Sequence, residues 1–379
     1  MGLSDALARL AVRAAQVLVV EVPGHWATRM ELEHQALRRG WRPAWTPADA
    51  DVLAVCGAPG PELSELVDRI WEQMPGPRVR ADITSPAAVG PALDDAAALL
   101  LDTTHQRKDA QERAQEPEIP EDADHGGHGE MDHGEMDHGG HGGMDHSGHG
   151  GMDMAPGGIA LAGSGEDRDG LEMDVLHLPL GPVLPFWPAG LVLRCSLQGD
   201  VVVDAEVCVI DGGLQGAGGP GPRTGAAPVA VTWCDRTMAL LALAGTEDAA
   251  SRARRARDAL LRGDRDAARS AVERLHRTIR RSGLLRWSLR GVLLLDQSDV
   301  ERHGLPEGCR GDAHDRLLSL VERIRAEVRG ADPVPADVGG VPWVMLPHLV
   351  SGLELASVRL AVASLNLEPF PAFQEVGHG

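Results

Sequence analysis

"DVLAVCGAPGPELSELVDRIWEQMPGPR", Asp51–Arg78, decides the fold class of the first part of the chain. It opens on an unbroken apolar run, Val52–Cys56, the pattern of a strand covered on both faces. Gly57-Ala58-Pro59-Gly60 turns the chain. Leu63, Leu66, Val67 and Ile70 then fall on one helical stripe, which Pro75 ends. Upstream, Ala15–Val22 (AQVLVVEV) is a second strand of the same kind, and Met30–Gly40 (MELEHQALRRG) between them has helical spacing. Strand, helix, strand, helix within about 100 residues predicts a small α/β domain with a parallel sheet. Ala96–Leu101 reads either as a last strand or as a short helix.

The same reading divides the chain. Residues 1–104 form the α/β domain. Residues 105–157 are charged and then rich in His, Met, Asp and Gly, with no apolar face, and are expected to be a disordered linker. Residues 158–371 form an α+β domain, a β-hairpin followed by a helical bundle, and 372–379 are a tail. The hairpin is read from two alternating runs, LVLRCSLQ and VVVDAEVCV, around Gly199-Asp200, the signature of a type II′ turn. Helices are expected over Asp235–Ala244, Arg252–Arg262, Asp264–Arg281, Leu284–Leu295, His314–Arg329 and Leu346–Ala363.

Composition sets limits. A chain of 379 residues with a net charge of −20 suits two folded units and opposes binding to nucleic acid or anionic membranes. There is no Tyr to donate a proton or hold a quinone, and aromatic residues make up only 3%. The five cysteines, Cys56, Cys195, Cys208, Cys234 and Cys309, form no C-x-x-C pair, which argues against a disulfide framework or a thiolate zinc site. No run is long and apolar enough for a transmembrane helix, and no signal peptide is read at the N-terminus, so a cytoplasmic location is expected. The Arg-rich stretch 252–290 carries interleaved Asp258, Asp264, Asp266 and Glu273, and intrachain pairing accounts for it. Glu31 and Glu33 are read as a solvated helix face, and His177 and His348 as core or boundary residues.

The run Pro47–Arg78, with an Ala-Asp-Val strand reaching Gly57 and a helix ending in Met74-Pro75-x-Pro77-Arg78, resembles the small iron–sulfur subunit of respiratory complex I and of related [NiFe] hydrogenases. Leu180–Cys208, where Gly181-Pro182 leads into the hairpin, resembles the start of the complex I 49-kilodalton-type subunit or the hydrogenase large subunit. The resemblance implies two partner subunits fused in one chain. It also implies thiolate ligands for an iron–sulfur cluster. The residues depart from that pattern. Pro23, Gly24, His25 and Trp26 follow the first strand, and Val79–Gly90 holds no Cys. No C-x-x-C nickel ligands and no quinone-site Tyr are present. A relative without cluster, nickel or quinone is therefore expected, with protein partners from a hydrogenase-like or respiratory assembly. Its role is read as a non-catalytic accessory or scaffold protein. A metal-handling protein and an oxidoreductase with an unrecognised redox centre are the alternatives.

The linker carries the candidate metal ligands: His125, His128, Met131, His133, Met136, His138, His141, Met144, His146, His149, Met152 and Met154. Imidazole suits Cu, Ni and Zn, and thioether sulfur suits Cu(I). The repeated Met-Asp-His unit gives many overlapping weak sites rather than one shaped cage. Full-length protein is expected to retain copper, nickel or zinc through desalting, and a variant lacking residues 125–154 to lose it. Equal metal content in the two forms, measured by mass spectrometry, would reduce the tract to a tether.

Overall fold

The computed structural model describes residues 3–115, 163–166, 172–212, 228–330 and 340–368. The twelve candidate metal ligands lie outside these residues.

Four parallel strands organise the first unit: β1 (Gln16–Glu21), β2 (Arg42–Pro43), β3 (Val52–Cys56) and β4 (Val79–Ile83), in the order β2-β1-β3-β4. Around them run α1 (Leu3–Val12), α2 (Trp26–Arg38), α3 (Pro61–Gln73), α4 (Val89–Leu101) and α5 (Thr103–Gln115). Every residue of β3 is buried, as its unbroken apolar run requires. Alternate residues serve opposite layers. Val17, Val52 and Ala54 pack with Leu32 and Leu93 under α2 and α4. Leu18, Val20, Leu53 and Val55 pack with Leu63 and Val67 under α3. Each such Leu or Val contributes about 1.5–3 kcal/mol by leaving water.

Of the two readings of Ala96–Leu101, the helix holds, as the end of α4, and the fourth strand is β4, which the sequence reading did not mark. That strand was hidden because it is a five-residue edge strand whose alternate side chains, Arg80 and Asp82, are polar. The helix α5 also occupies residues assigned to the linker. It has no apolar stripe and is held by polar contacts instead. Arg78 reaches Asp109 at 3.1 Å, and Gln106 donates to the carbonyls of Arg78 at 3.2 Å and Leu99 at 3.1 Å. The Arg78 guanidinium also lies 4.1 Å from the Trp71 ring centroid.

The second unit opens with an antiparallel sheet of β5 (Gly163–Glu166), β6 (Glu172–Leu180), β7 (Leu191–Gln198) and β8 (Val201–Val209). The expected hairpin is β7–β8, with Gln198 opposite Val201 and Gly199 at φ +61°. Asp200 is not in the left-handed region, so the turn fits type II′ rather than I′. Then come α6 (Val229–Leu243), α7 (Glu247–Leu261), α8 (Arg265–Arg281), α9 (Gly283–Leu289), α10 (Gln297–His303), α11 (Ala313–Arg329), α12 (Leu346–Val350) and α13 (Leu355–Ser364). The single helix expected over Leu346–Ala363 is broken between α12 and α13. The break lets the backbone pair with β8: Gly352 N–H donates to Val202 at 2.7 Å, and Val202 N–H donates to Leu353 at 2.9 Å.

Gly57 ends β3 at φ +109°, and its α-carbon lies against His25 at the start of α2. A Cβ there would fall 2.5 Å from His25 Cδ2 and 2.8 Å from Val22 Cβ. Gly57→Ala is expected to destabilise the protein by about 1–3 kcal/mol through backbone strain and overlap, measured by urea denaturation.

Candidate functional site

The two units meet at the carboxyl end of the parallel sheet, the edge where open α/β sheets place their sites. Glu21 ends β1. One helix later, α2 presents Arg29, Glu33 and His34. From the second unit, α6 presents Asp235 and α7 presents Arg257 and Asp258. These seven side chains form one network across the seam.

Arg29 is held by three carboxylates. Its Nε donates to Glu21, its Nη1 to Glu33 at 2.7 Å, and its Nη2 to Asp235 at 2.7 Å. Arg257 is fully buried and mirrors it from the other unit. Its Nη1 donates to Glu33 and to Asp235, both at 2.6 Å, and its Nε and Nη2 donate to Asp258 at 3.0 Å. His34 Nδ1 lies 3.1 Å from the other Asp258 oxygen. Glu33 and Asp235 thus each bridge both guanidiniums. On a second seam contact, Glu62 and Asp211 exchange hydrogen bonds at 2.8 Å, each side-chain carboxylate accepting the other's backbone N–H. Ile210, beside Asp211, enters the apolar layer under α3.

Four carboxylates face two guanidiniums, and the surplus negative charge shows in the pKa values. For Asp235, burial alone would raise the pKa, but Arg29 and Arg257 reverse this and hold it at about 2. Glu33 is also lowered: burial acts against ionisation, and the same two cations overcome it. Glu21 goes the other way. Burial raises it, and its one cation, Arg29, does not fully compensate, while Asp235 and Glu33 push it further up. Of Glu21, Glu33 and Asp235, Glu21 is therefore the carboxylate that most readily takes a proton. It keeps 17% of its side chain exposed, on the wall of a cavity.

That cavity has a volume of about 370 Å³ and is bounded by β1, β2 and α2 on one side and by residues 182–189, α6 and the end of α13 on the other. Trp41, Trp45, Trp187, Trp343 and Phe186 line it, which gathers half of the chain's eight Trp in one place. Phe186 meets Trp45 edge-on with centroids 5.4 Å apart. Arg236 and Arg254 also stand on the wall. A concave, mainly apolar space with few polar groups is the ordinary form of a small-molecule site.

The cysteines are placed apart from such chemistry. Cys56, Cys195, Cys234 and Cys309 are buried. Burial pushes the Cys195 thiol up to about 11, Cys234 up to about 12, and Cys56 higher still, so these sulfurs stay protonated at neutral pH. Among the described residues, the one group of three His, Cys, Asp or Glu close enough to share an ion is Asp312, His314 and Asp315. Its carboxylates are already occupied. Asp312 accepts from the backbone N–H groups of Gly291, His314 and Asp315, and Asp315 accepts from Asp312 N–H, a capping box that starts α11.

Several sequence readings shift. Glu33 belongs to the buried network and not to a solvated face, because the second unit covers that side of α2. Glu31 accepts from Gln35 at 2.7 Å on the same helix. His177 and His348 are exposed: His177 lies 3.0 Å from the Ser196 hydroxyl, and His348 stacks on His303. Sequence reasoning missed Glu21, Arg29, Asp235 and Arg257. Two signals were available: Glu21 ends a run otherwise buried on both faces, and Arg257 shares its helical stripe with Ala250, Ala253 and Ala256.

Compared with family models, curated proteins and solved structures, the chain matches none. Among the described residues no helix is long and apolar enough to cross a membrane.

Arg257→Met should cost about 3–5 kcal/mol, because it leaves Glu33 and Asp235 underpaired in a buried seam. Glu21→Gln should be neutral or stabilising at pH 7, because it removes surplus charge. The pH dependence separates the two groups. Asp235 and Glu33, with lowered pKa values, contribute stability that is full above their ordinary values of 3.8 and 4.5 and is lost as pH falls, for Asp235 through about 2. Glu21, with a raised pKa, contributes stability present below 4.5 and lost as pH rises through its folded value. Urea midpoints across pH 2–8 should show Glu21→Gln removing only the loss on the alkaline side. A variant that parallels the wild type throughout would show that Glu21 carries no strained charge.

Proposed function

We propose that the protein is a non-redox binding and accessory protein, built as a fusion of a unit resembling the complex I or hydrogenase small subunit with a unit resembling the partner large subunit. One observation carries this reading. At the seam, where the resemblance leads one to look for a redox centre, the chain offers an ion network and an apolar cavity, with no set of thiolates. The loop after β1 is Pro23-Gly24-His25, and the turn after β4 is Thr84-Ser85. The cysteines near the seam, Cys56 inside β3 and Cys234 beside Asp235 on α6, have thiols that burial holds protonated. Soft, ionised sulfur is what iron requires, and this donor set does not supply it.

In this reading the α/β unit and the hairpin–bundle unit act as one docked body that binds a ligand or a partner subunit. The partners are protein subunits of a hydrogenase-like or respiratory assembly. The His/Met tract between the units adds a transition-metal-binding element. Its composition also supports the metal-handling alternative, in which copper or nickel buffering is the main role.

Protein purified anaerobically should contain less than about one iron per ten chains and show no charge-transfer absorption in the visible range. Stoichiometric iron with acid-labile sulfide would overturn the proposal and favour an oxidoreductase.

A further inference from the structure

The seam cavity carries a cation that has no counter-ion among the described residues. Arg236 stands in the middle of α6, with Thr232 one turn before it and Ala239 about one turn after, and all three line the cavity. The adjacent carboxylate, Asp235, is engaged by Arg29 and Arg257. Among the described residues Arg236 donates to one backbone carbonyl, that of Leu367, and forms no ion pair. A guanidinium has five N–H donors, so most of its capacity is open. Burial disfavours its charge and pulls its pKa down to about 10, with only Asp235 opposing. The Thr232 hydroxyl has no hydrogen-bond partner among the described residues. Among the described residues Arg254, across on α7, reaches only the Ser251 hydroxyl at 3.4 Å and likewise forms no ion pair.

We propose that this cavity binds a small monocarboxylate with an apolar body, its carboxylate held by Arg236 and the Thr232 hydroxyl and its body against Trp41, Phe186 and Trp187. Three features of the site select this chemistry. A guanidinium matches a carboxylate bidentately, and an ionised acceptor roughly doubles the strength of each hydrogen bond. A neutral ligand would leave Arg236 desolvated without a counter-ion. The body of the ligand lies against Trp41, Phe186 and Trp187, where a second carboxylate would be buried without a partner. The size agrees. About 370 Å³ lies at the lower end of the range of small-molecule sites, roughly 300–1,000 Å³. At about 30 Å³ per water-sized group, it holds on the order of 12 non-hydrogen groups.

The inference requires the cavity and its unpaired cation, and it is independent of the iron content that tests the proposed function. The full-length protein is titrated with decanoate, with decanol and with a neutral alkyl quinone, by calorimetry and by the fluorescence of the cavity tryptophans. Decanoate is expected to bind one per chain. Arg236→Gln should weaken it by about tenfold or more, as loss of a charged hydrogen-bond partner does. Thr232→Val, which preserves shape, should weaken it by a smaller factor, about threefold, with the thermal midpoint of the unliganded protein unchanged. The valine variant keeps the test decisive if Arg236→Gln fails to fold. Absence of decanoate binding, equally tight binding of decanol or of the quinone, or unchanged binding in the variants would overturn the assignment.

Discussion

The rest of the structure depends on how Arg257 is held. Its side chain is wholly out of water, and it bonds Glu33 from one unit and Asp235 and Asp258 from the other. Neither unit alone satisfies its share of the network. The first contributes Glu21, Arg29 and Glu33, the second Asp235, Arg257 and Asp258, and each set carries a surplus carboxylate. A buried network of this kind adds little net stability, because desolvation offsets much of the attraction. Its effect is on geometry. The apolar contacts of Ile210, Val183 and Val192 with the layer under α3 supply attraction that is not directional. The guanidinium forks allow one docking angle, because other angles would leave buried charges unmatched.

Fixing that angle has a consequence for space. The wall from Pro182 to Pro188 is Pro-Val-Leu-Pro-Phe-Trp-Pro, whose three prolines leave the backbone little freedom to collapse inward. Phe186 is held at φ +60°, in the left-handed region that costs a non-glycine residue about 1–2 kcal/mol. It is held there while its ring meets Trp45 across the mouth of the cavity. Arg359 donates to the carbonyl of Pro185, and Trp187 Nε1 donates to that of Leu191 at 2.8 Å, so the segment is pinned at its middle and near its far end. A strained, pinned wall facing a docked helix is a gap maintained by the fold, and such outliers concentrate where ligands sit.

Much of the fold was legible because most of its elements obey a single period. β1 and β3 are buried on both faces and read as continuous apolar runs. α3, α8 and α11 carry clean stripes, and Gly199-Asp200 names its own turn. What failed follows from tertiary contacts that one-dimensional patterns do not carry. β4 is short and half polar at a sheet edge, α5 is held by Arg78 and Gln106 rather than by an apolar face, and Gly352 is drawn out of a helix to pair with β8. The candidate site was the least legible part. Glu21, Arg29 and Glu33 lie far in sequence from Asp235 and Arg257, and the four on helices each look like an ordinary surface charge. Only the docking of one unit on the other turns those surface charges into an interior.

The docking also bears on the tract between the units. Two bodies that interlock through their own side chains require from a connection only that it keep them near each other, raising their effective concentration. Gly, Ser and charged residues of any kind do that, and reach depends on length and stiffness rather than on side-chain chemistry. Seven His and five Met between His125 and Met154 are therefore not demanded by tethering. That composition is what supports the metal-binding element of the proposed function, because imidazole and thioether groups add ligands that a tether does not need.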